Sequence, residues 1–308
     1  MENTCNTSEP SASEIEQAIS VLERTSFREI QRLGWHFQRN DFYSPLNDCE
    51  FLAANPDLLG SSELLEIDMR IAHQEKVVAE VGRYVEELRD VPFVSDNPTT
   101  YCWQNNFWNN ADALVQYGLI RSRKPRRVIE IGCGWSSLLL ARALEANARE
   151  SDTSMAEVTQ IEPYPRKDVL AALPRHWNLL PVILQRASLE FFESLRAGDV
   201  LFYDGSHCSK VASDVNWFFF RILPRLAPGV LIHLHDILLP EDYPDEWIFK
   251  RGQTWNEQYL LQAFLMNNQR YQIEIANRYM FLNRLALLER HYAGVQPPWG
   301  ASLWMTKV

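Results

Sequence analysis

Residues 128–137 read VIEIGCGWSS. A β-branched apolar run that ends in a glycine turn and is followed by a helical pattern is the strand-to-helix turn of nucleotide-binding α/β folds. In the dinucleotide version, bare amides and a helix N-terminus face a pyrophosphate, and a third glycine permits close packing of helix on strand. Here Glu130 precedes the glycines and would repel a pyrophosphate, while Ser137 stands where the third glycine would fall. Both substitutions argue against a nicotinamide-dependent oxidoreductase. A ligand that brings positive charge and no phosphate to the strand end suits Glu130 better.

Outward from this turn, short β-branched runs alternate with helical stretches, the pattern of βαβ units in a parallel sheet. Strands are expected at 127–131, 157–162, 181–186, 199–204 and 229–235, each followed by a helix, with further strands at 271–277 and 301–308. This is a doubly wound, Rossmann-like α/β sheet. The second strand ends in Gln160-Ile161-Glu162-Pro163, and an acid there can accept hydrogen bonds from both hydroxyls of a ribose. Glu162 together with Glu130 and the two glycines favours S-adenosylmethionine, a nucleoside with ammonium and sulfonium charges.

Ahead of the sheet the chain reads as helical. Ile15, Ile19, Leu22, Ile30 and Leu33 recur at helical spacing over 13–32, with Ser13 and Glu16 as a capping box, and apolar residues at Leu64, Ile67, Ile71, Val77, Val78, Val81 and Val85 predict a helix over 62–89. Residues 35–60, rich in aromatics, Asn, Asp and Pro, read as an extended loop. The pattern places an N-terminal mainly helical cap at 1–108 and one α/β domain at 109–308. The helix at 62–89 presents either a charged outer face or a contact through which the chain forms a homo-oligomer.

Composition bounds the partners. The formal net charge of −10 over 308 residues disfavours a protein that works by neutralising phosphates, so nucleic acid is not an expected partner. The five cysteines (Cys5, Cys49, Cys102, Cys133, Cys208) are odd in number and contain no CxxC, which indicates neither a disulfide framework nor a thiolate zinc site. The polar, acidic start lacks an apolar signal core, and no apolar run is long enough for a membrane span. A cytoplasmic protein with a disordered first dozen residues and no membrane partner is expected.

The order VIEIGCG, TQIEP, VLFYDGSH and GVLIHLHD resembles the class I S-adenosylmethionine-dependent methyltransferases, and more narrowly a bacterial branch (methyltransferase family 24-like) whose fourth strand ends in DGSH or DSSH and whose fifth ends in HD. HFQRNDFYSPLND (36–48), NNADALVQYGLI (109–120) and TWNEQYLLQAFL (254–265) are similar to that branch as well. The resemblance implies seven strands with the last antiparallel. It also implies that Glu130, Gly132, Cys133 and Gly134 wrap the methionine end of the cofactor, that Glu162 binds its ribose, that Ser188, within Arg186–Leu189, lies near its adenine, and that Asp204 faces the transferred methyl. Cys133 and Trp135 are bulkier than the small residues common in this turn.

Methyl transfer from a sulfonium is an in-line displacement, so the chain must align acceptor and methyl and remove a proton from a hydroxyl acceptor. At the expected strand ends it offers Asp204, His207, His235 and Asp236 as catalytic or acceptor-binding groups, with His233 on the same strand face as His235 but interior. Asp204, His235 and Asp236 form an alternative set for Mg2+ or Mn2+, which the pair His-Asp disfavours, since metal-using relatives carry an acidic pair or Asp-Asn. The proline-punctuated stretch 236–265 is expected to form a lid, with Tyr243, Trp247, Arg251, Trp255, Asn256 and Glu257 as its functional candidates. These features predict a methyltransferase that acts on oxygen or nitrogen of a small molecule or peptide, in secondary metabolism. The competing reading is a catalytically silent scaffold on the same fold.

Overall fold

The structure is a computed structural model that describes residues 9–108, 110–151, 155–292 and 296–308. The chain forms two compact units, residues 1–55 and 56–308. Cys5 and most of the stretch expected to be disordered lie outside the described residues.

The first unit carries α1 (Ala12–Arg24), α2 (Phe27–Arg32) and α3 (Cys49–Ala54). A single helix was expected over 13–32, but Thr25 is extended and its hydroxyl donates to the Val21 carbonyl at 2.8 Å, which diverts the helix end. The capping box is formed by Ser11 and Glu14 rather than Ser13 and Glu16: the Ser11 amide donates to Glu14 Oε2 at 2.8 Å. The loop expected at 35–60 contains α3, whose N-cap Asp48 accepts from the Phe51 amide at 2.9 Å.

The second unit runs α4 (Ile71–Gly82), α5 (Asn110–Arg123), β1 (Arg127–Ile131), α6 (Trp135–Ser151), β2 (Glu157–Ile161), α7 (Lys167–Ala172), β3 (Asn178–Leu180), α8 (Leu189–Glu193), β4 (Val200–Tyr203), α9 (Asp214–Trp217), β5 (Leu231–Leu234), α10 (Glu257–Leu265), β6 (Tyr271–Ala276), α11 (Asn277–Tyr292, broken at Arg284) and β7 (Leu303–Lys307). The strands form one seven-stranded sheet in the order β3-β2-β1-β4-β5-β7-β6, with β7 antiparallel to both neighbours. This is the doubly wound architecture expected, and its order reverses between β1 and β4, the place where open α/β sheets bind ligands.

Strand alternation divides the core. Val128, Val200 and Phe202 face one layer with α5 and α6, while Ile129, Ile131, Leu201 and Tyr203 face the other with Phe192 and Phe218. Both faces are covered, so β1, β4 and β5 are buried at nearly every position.

The boundary between units falls at residue 55, not at 108. Val77, Val78 and Val81 of α4 are fully buried, and α4 packs on α5, α11 and β6. A Cβ at Gly118 would lie 2.8 Å from Val81, so α4 and α5 meet at a spacing that only glycine admits. Within the break at 95–106, Tyr101, Cys102, Trp103 and Asn105 are buried. Two element expectations are corrected. The helix predicted over 62–89 occupies only Ile71–Gly82 plus a short turn at Val85–Leu88, because Leu64, Glu66 and Arg70 adopt left-handed backbone. The strand predicted at 181–186 is instead the three-residue β3 before it; Pro181 has no amide to continue the ladder, and Leu184–Arg186 closes as a helical turn.

Candidate active site

The glycine turn is built from Glu130 outward. Glu130 is fully buried at the end of β1, and its carboxylate accepts from Ser136 Oγ (3.0 Å), Ser137 Oγ (2.7 Å) and Gln160 Nε2 (2.6 Å). Ser137 Oγ also accepts from the Gly134 amide at 3.1 Å. Ser137 is therefore the staple of the turn, a role the third glycine of a dinucleotide turn cannot fill. Burial pushes the Glu130 carboxyl up to about 7 despite the hydrogen bonds from Gln160, Ser137 and Ser136. The expectation that Glu130 meets a cationic ligand is corrected: its oxygens are turned inward, and it acts by shaping the turn.

Around it lie the open parts. Gly132 has φ +85°, and a Cβ there would lie 2.4 Å from the Asp204 carbonyl, so β1 and β4 approach too closely for any side chain. A Cβ at Gly134 would meet nothing within 4 Å, so the turn has room above it. Cys133 is half-buried, and burial with the charge of Glu130 holds its thiol neutral, pushed up to about 12. Glu162 is half-buried just past β2 and accepts the Tyr164 amide at 2.7 Å. Ser188 is exposed and caps α8, accepting from the Glu190 amide at 3.3 Å. Gly132 to Gly134, Glu162 and Asp204 thus end adjacent strands at one edge of the sheet, an arrangement that fits a nucleoside cofactor.

The structure brings Asp204, His207, His235 and Asp236 together. Asp204 follows β4, and the loop after it is tied by Asp214, which accepts from the Ser206 amide (2.7 Å) and hydroxyl (2.5 Å). Gly205 is required there, because a Cβ would lie 2.3 Å from Tyr203 Oη. His207 Nε2 lies 3.3 Å from Asp204 and 3.5 Å from Asp236, and His235 Nδ1 lies 3.7 Å from each of the same two carboxylates. Asp204 is the most open member, with 36% of its side chain exposed against 7% for His207. His207 and Asp236 both hold positive φ, +57° and +53°, backbone strain of the sort that tertiary contacts sustain at working sites.

These neighbours separate the proton affinities. Burial opposes charge on His207, yet Asp204 and Glu257 hold it well above the ordinary imidazole range. Burial likewise opposes charge on His235, but Asp236 and Asp204 raise it to about 9. Burial opposes charge on Asp204 as well, yet His235 and His207 hold it well below the usual carboxylate range. Asp236 is raised by burial, against the pull of His235 and His207. One carboxylate is thus kept ionised and its neighbour made readier to take a proton.

The raised His235 has a measurable consequence. Its folded-state value lies above the ordinary 6.5, so it stabilises the fold fully below pH 6.5, and that contribution is lost as pH rises through about 9. Urea titrations at pH 6 and pH 9.5 are expected to show wild type losing on the order of 2 kcal/mol more than His235→Gln. Equal losses in the two proteins would sink the assignment.

Sequence reasoning missed two members of this site, Trp108 and Asp112, and the pairing of a third, Glu257. Trp108 packs on His235 with ring centroids 4.7 Å apart, and its indole donates to Gln116 at 2.7 Å. Asp112 is buried and accepts from the amides of Ala301 (2.9 Å) and Ser302 (2.7 Å), with His235 Nε2 at 3.9 Å. In sequence Asp112 is indistinguishable from an ordinary first-turn helix acid. Glu257, foreseen only as a lid residue, accepts from His207 Nδ1 at 2.9 Å. His233 is core, stacked on Phe202 at 3.8 Å with Nε2 on Ser302 Oγ at 3.0 Å.

The stretch 236–265, expected as a lid, divides its candidates between two surroundings. Tyr243, Trp247 and Trp255 form an aromatic cluster, Trp247 and Trp255 meeting edge-on at 5.1 Å. Arg251 is exposed and pairs with Glu246 at 2.8 Å. The alternative metal set is not met: among the described residues no group of three or more His, Cys, Asp or Glu is arranged to hold a metal ion. An open cavity of about 780 Å³ lies at the opposite, amino-terminal edge of the sheet, beside Arg127, Glu157 and Asp199, and contains none of these groups. No helix among the described residues is long and apolar enough to cross a membrane.

Residues 129–237 match a family model described as a methyltransferase domain. An uncharacterised protein of Archaeoglobus fulgidus is 29% identical over 199 residues, covering 58% of this chain and 87% of that protein. Among solved structures, a TDP-rhamnose 3'-O-methyltransferase of calicheamicin biosynthesis covers 75% of this chain and 93% of its own at 9% identity, with a TM-score of 0.39. The matched span runs from β1 through β5 of the Rossmann-like sheet and takes in the glycine turn, Glu162, Asp204, His207, His235 and Asp236, so it is this part of the chain that is similar to a methyltransferase domain.

Proposed function

We propose that the chain is an S-adenosylmethionine-dependent methyltransferase that acts on an oxygen or nitrogen of a small molecule or peptide, in secondary metabolism. The observation that carries the reading is the meeting, at the carboxyl ends of β1, β4 and β5, of an open glycine turn with the acid–imidazole group Asp204, His207, His235 and Asp236. Gly132, Cys133, Gly134, Glu162 and Asp204 would hold the cofactor, with Ser188 toward its adenine. The bound cofactor supplies the activated methyl, and the protein supplies orientation and electrostatics.

Asp204 stays ionised and is the most open group, so it accepts the hydrogen bond of the acceptor's O–H or N–H and aligns it. Asp236, raised by burial, takes the acceptor proton as the new bond forms. The imidazolium charges of His207 and His235 prevent the two neighbouring carboxylates from repelling one another.

Isothermal titration with S-adenosylmethionine and its demethylated product tests the reading, and binding at micromolar concentration is expected. Absence of binding at millimolar concentration would overturn it. Asp204→Asn separates an enzyme from a silent scaffold: an enzyme loses methyl transfer by about 100-fold or more, while a scaffold keeps its biological activity.

A further inference from the structure

The stretch TWNE (254–257) does more than begin α10. Trp255 lays its ring on His207, centroids 4.4 Å apart. The amides of Asn256 and Glu257 both donate to the His207 carbonyl, at 3.0 and 3.2 Å. Asn256 also brackets Ser209, accepting its amide at 2.5 Å and donating to its carbonyl at 3.3 Å. Glu257 Oε2 then lies 2.9 Å from His207 Nδ1; an ionised carboxylate only accepts, so with Glu257 ionised that nitrogen is the donor. Ring and backbone of one histidine are held by three consecutive residues.

This is an unusual use of a helix's first acid. An acid in the first turn ordinarily faces water, where the helix dipole favours it at little cost. Glu257 is 0% exposed, and burying a carboxylate costs several kcal/mol unless it is paired. Its Oε1 is buried with no hydrogen-bond partner, so His207 is the one group that its burial serves among the described residues. The opposite nitrogen, Nε2, is shared between Asp204 at 3.3 Å and Asp236 at 3.5 Å. Both distances are long for a charge-assisted hydrogen bond, so the ring stands between the two carboxylates instead of belonging to either.

We propose that Glu257, with Trp255 and Asn256, is a positioning residue: it fixes His207 through Nδ1 so that Nε2 bridges Asp204 and Asp236 and keeps both aimed at the methyl acceptor. The bearing of this on catalysis rests on the methyltransferase reading above, while the strap itself does not. Because the three residues lie within the lid segment, the acceptor-side carboxylates and the lid share one anchor. An acceptor admitted past Trp247 and Trp255 therefore meets carboxylates whose spacing is set by the same segment.

Two measurements on the full chain test this. In protein labelled with nitrogen-15 at histidine, wild type is expected to show a downfield His207 Nδ1 proton protected from solvent exchange. Glu257→Gln, which keeps the side-chain volume, should lose it, and Glu257→Asp should recover it in part. Absence of the protected proton in wild type, or its persistence in Glu257→Gln, would overturn the proposal. The second readout is the initial rate of radiolabelled methyl transfer from S-adenosylmethionine into a fixed small-molecule extract of the source cells. Glu257→Gln should slow it by about 10- to 100-fold at unchanged affinity for S-adenosylmethionine, with Glu257→Asp restoring part of the rate. A wild-type rate in Glu257→Gln refutes a positioning role. If wild type neither binds the cofactor nor transfers methyl, the functional reading fails, and the nitrogen-15 measurement decides the strap by itself. Should Glu257→Gln not fold, Asn256→Ala, which loosens the His207 loop and leaves the carboxylate in place, is expected to broaden or expose the same proton.

Discussion

Gly132→Ala is expected to abolish cofactor binding and to destabilise the second unit by about 3 kcal/mol or more. Two independent costs meet at this position. Its φ of +85° lies in the left-handed region that L side chains rarely adopt, and the added Cβ would sit 2.4 Å from the Asp204 carbonyl oxygen. That oxygen is backbone in a central strand junction, since the Asp204 amide donates to the Ile131 carbonyl at 3.0 Å and cannot move without parting β4 from β1. The turn and Asp204 would shift together. Urea unfolding and isothermal titration with S-adenosylmethionine check the two halves of the expectation. Gly134→Ala is the control: nothing lies within 4 Å of its Cβ, so its fold stability should be close to wild type. A Gly132→Ala protein as stable as Gly134→Ala would show that the β1–β4 junction is not as close as described.

Glu130→Ala should cost about 3–5 kcal/mol of stability. The substitution removes a buried acceptor shared by Ser136, Ser137 and Gln160, and leaves their donors facing one another in a site sealed from water. The Gly134 amide would lose its orientation as well, because Ser137 holds it only while Glu130 holds Ser137. The pH dependence has a definite sign. The Glu130 carboxyl is raised from 4.5 to about 7, so its contribution is fullest below pH 4.5 and is lost as pH rises through about 7. Glu130→Gln, which cannot ionise, should therefore lose less stability than wild type between pH 5 and pH 8. Denaturant midpoints across that range decide it, and a cost below about 1 kcal/mol for Glu130→Ala would refute the role assigned here.

Both predictions begin in VIEIGCGWSS, and they mark how far a linear reading reaches. Two glycines after a β-branched run, with later runs at βαβ spacing, were enough for the doubly wound sheet, because strand alternation and burial on both faces are written in local residue choice. Glu130 and Ser137 were the informative residues, but for a different reason than charge facing a ligand. Their side chains meet each other, a contact that no spacing rule predicts, and the carboxylate serves the turn from within.

Asp204, His207, His235 and Asp236 were legible because parallel sheets place their working groups at the carboxyl ends of strands, and polar residues that end apolar runs announce themselves. Asp112, Trp108 and the pairing of Glu257 with His207 were not. Asp112 lies 123 residues before His235 and reaches it only because the start of α5 is hydrogen-bonded to residues 299–302, just before β7. Likewise, the sequence pattern places the domain boundary at 108, since a loop composition does not reveal that Tyr101, Trp103 and Trp108 are buried.

By itself, then, the sequence determined the sheet, the glycine turn and the acids and imidazoles at the strand ends, all of which follow from short-range periodicity and from the backbone demands of glycine. Only the tertiary structure decided which charges share a site, and hence which carboxylate stays ionised and which histidine is held. Those outcomes depend on burial and on distances between groups far apart in the chain, and neither quantity exists before the layers pack.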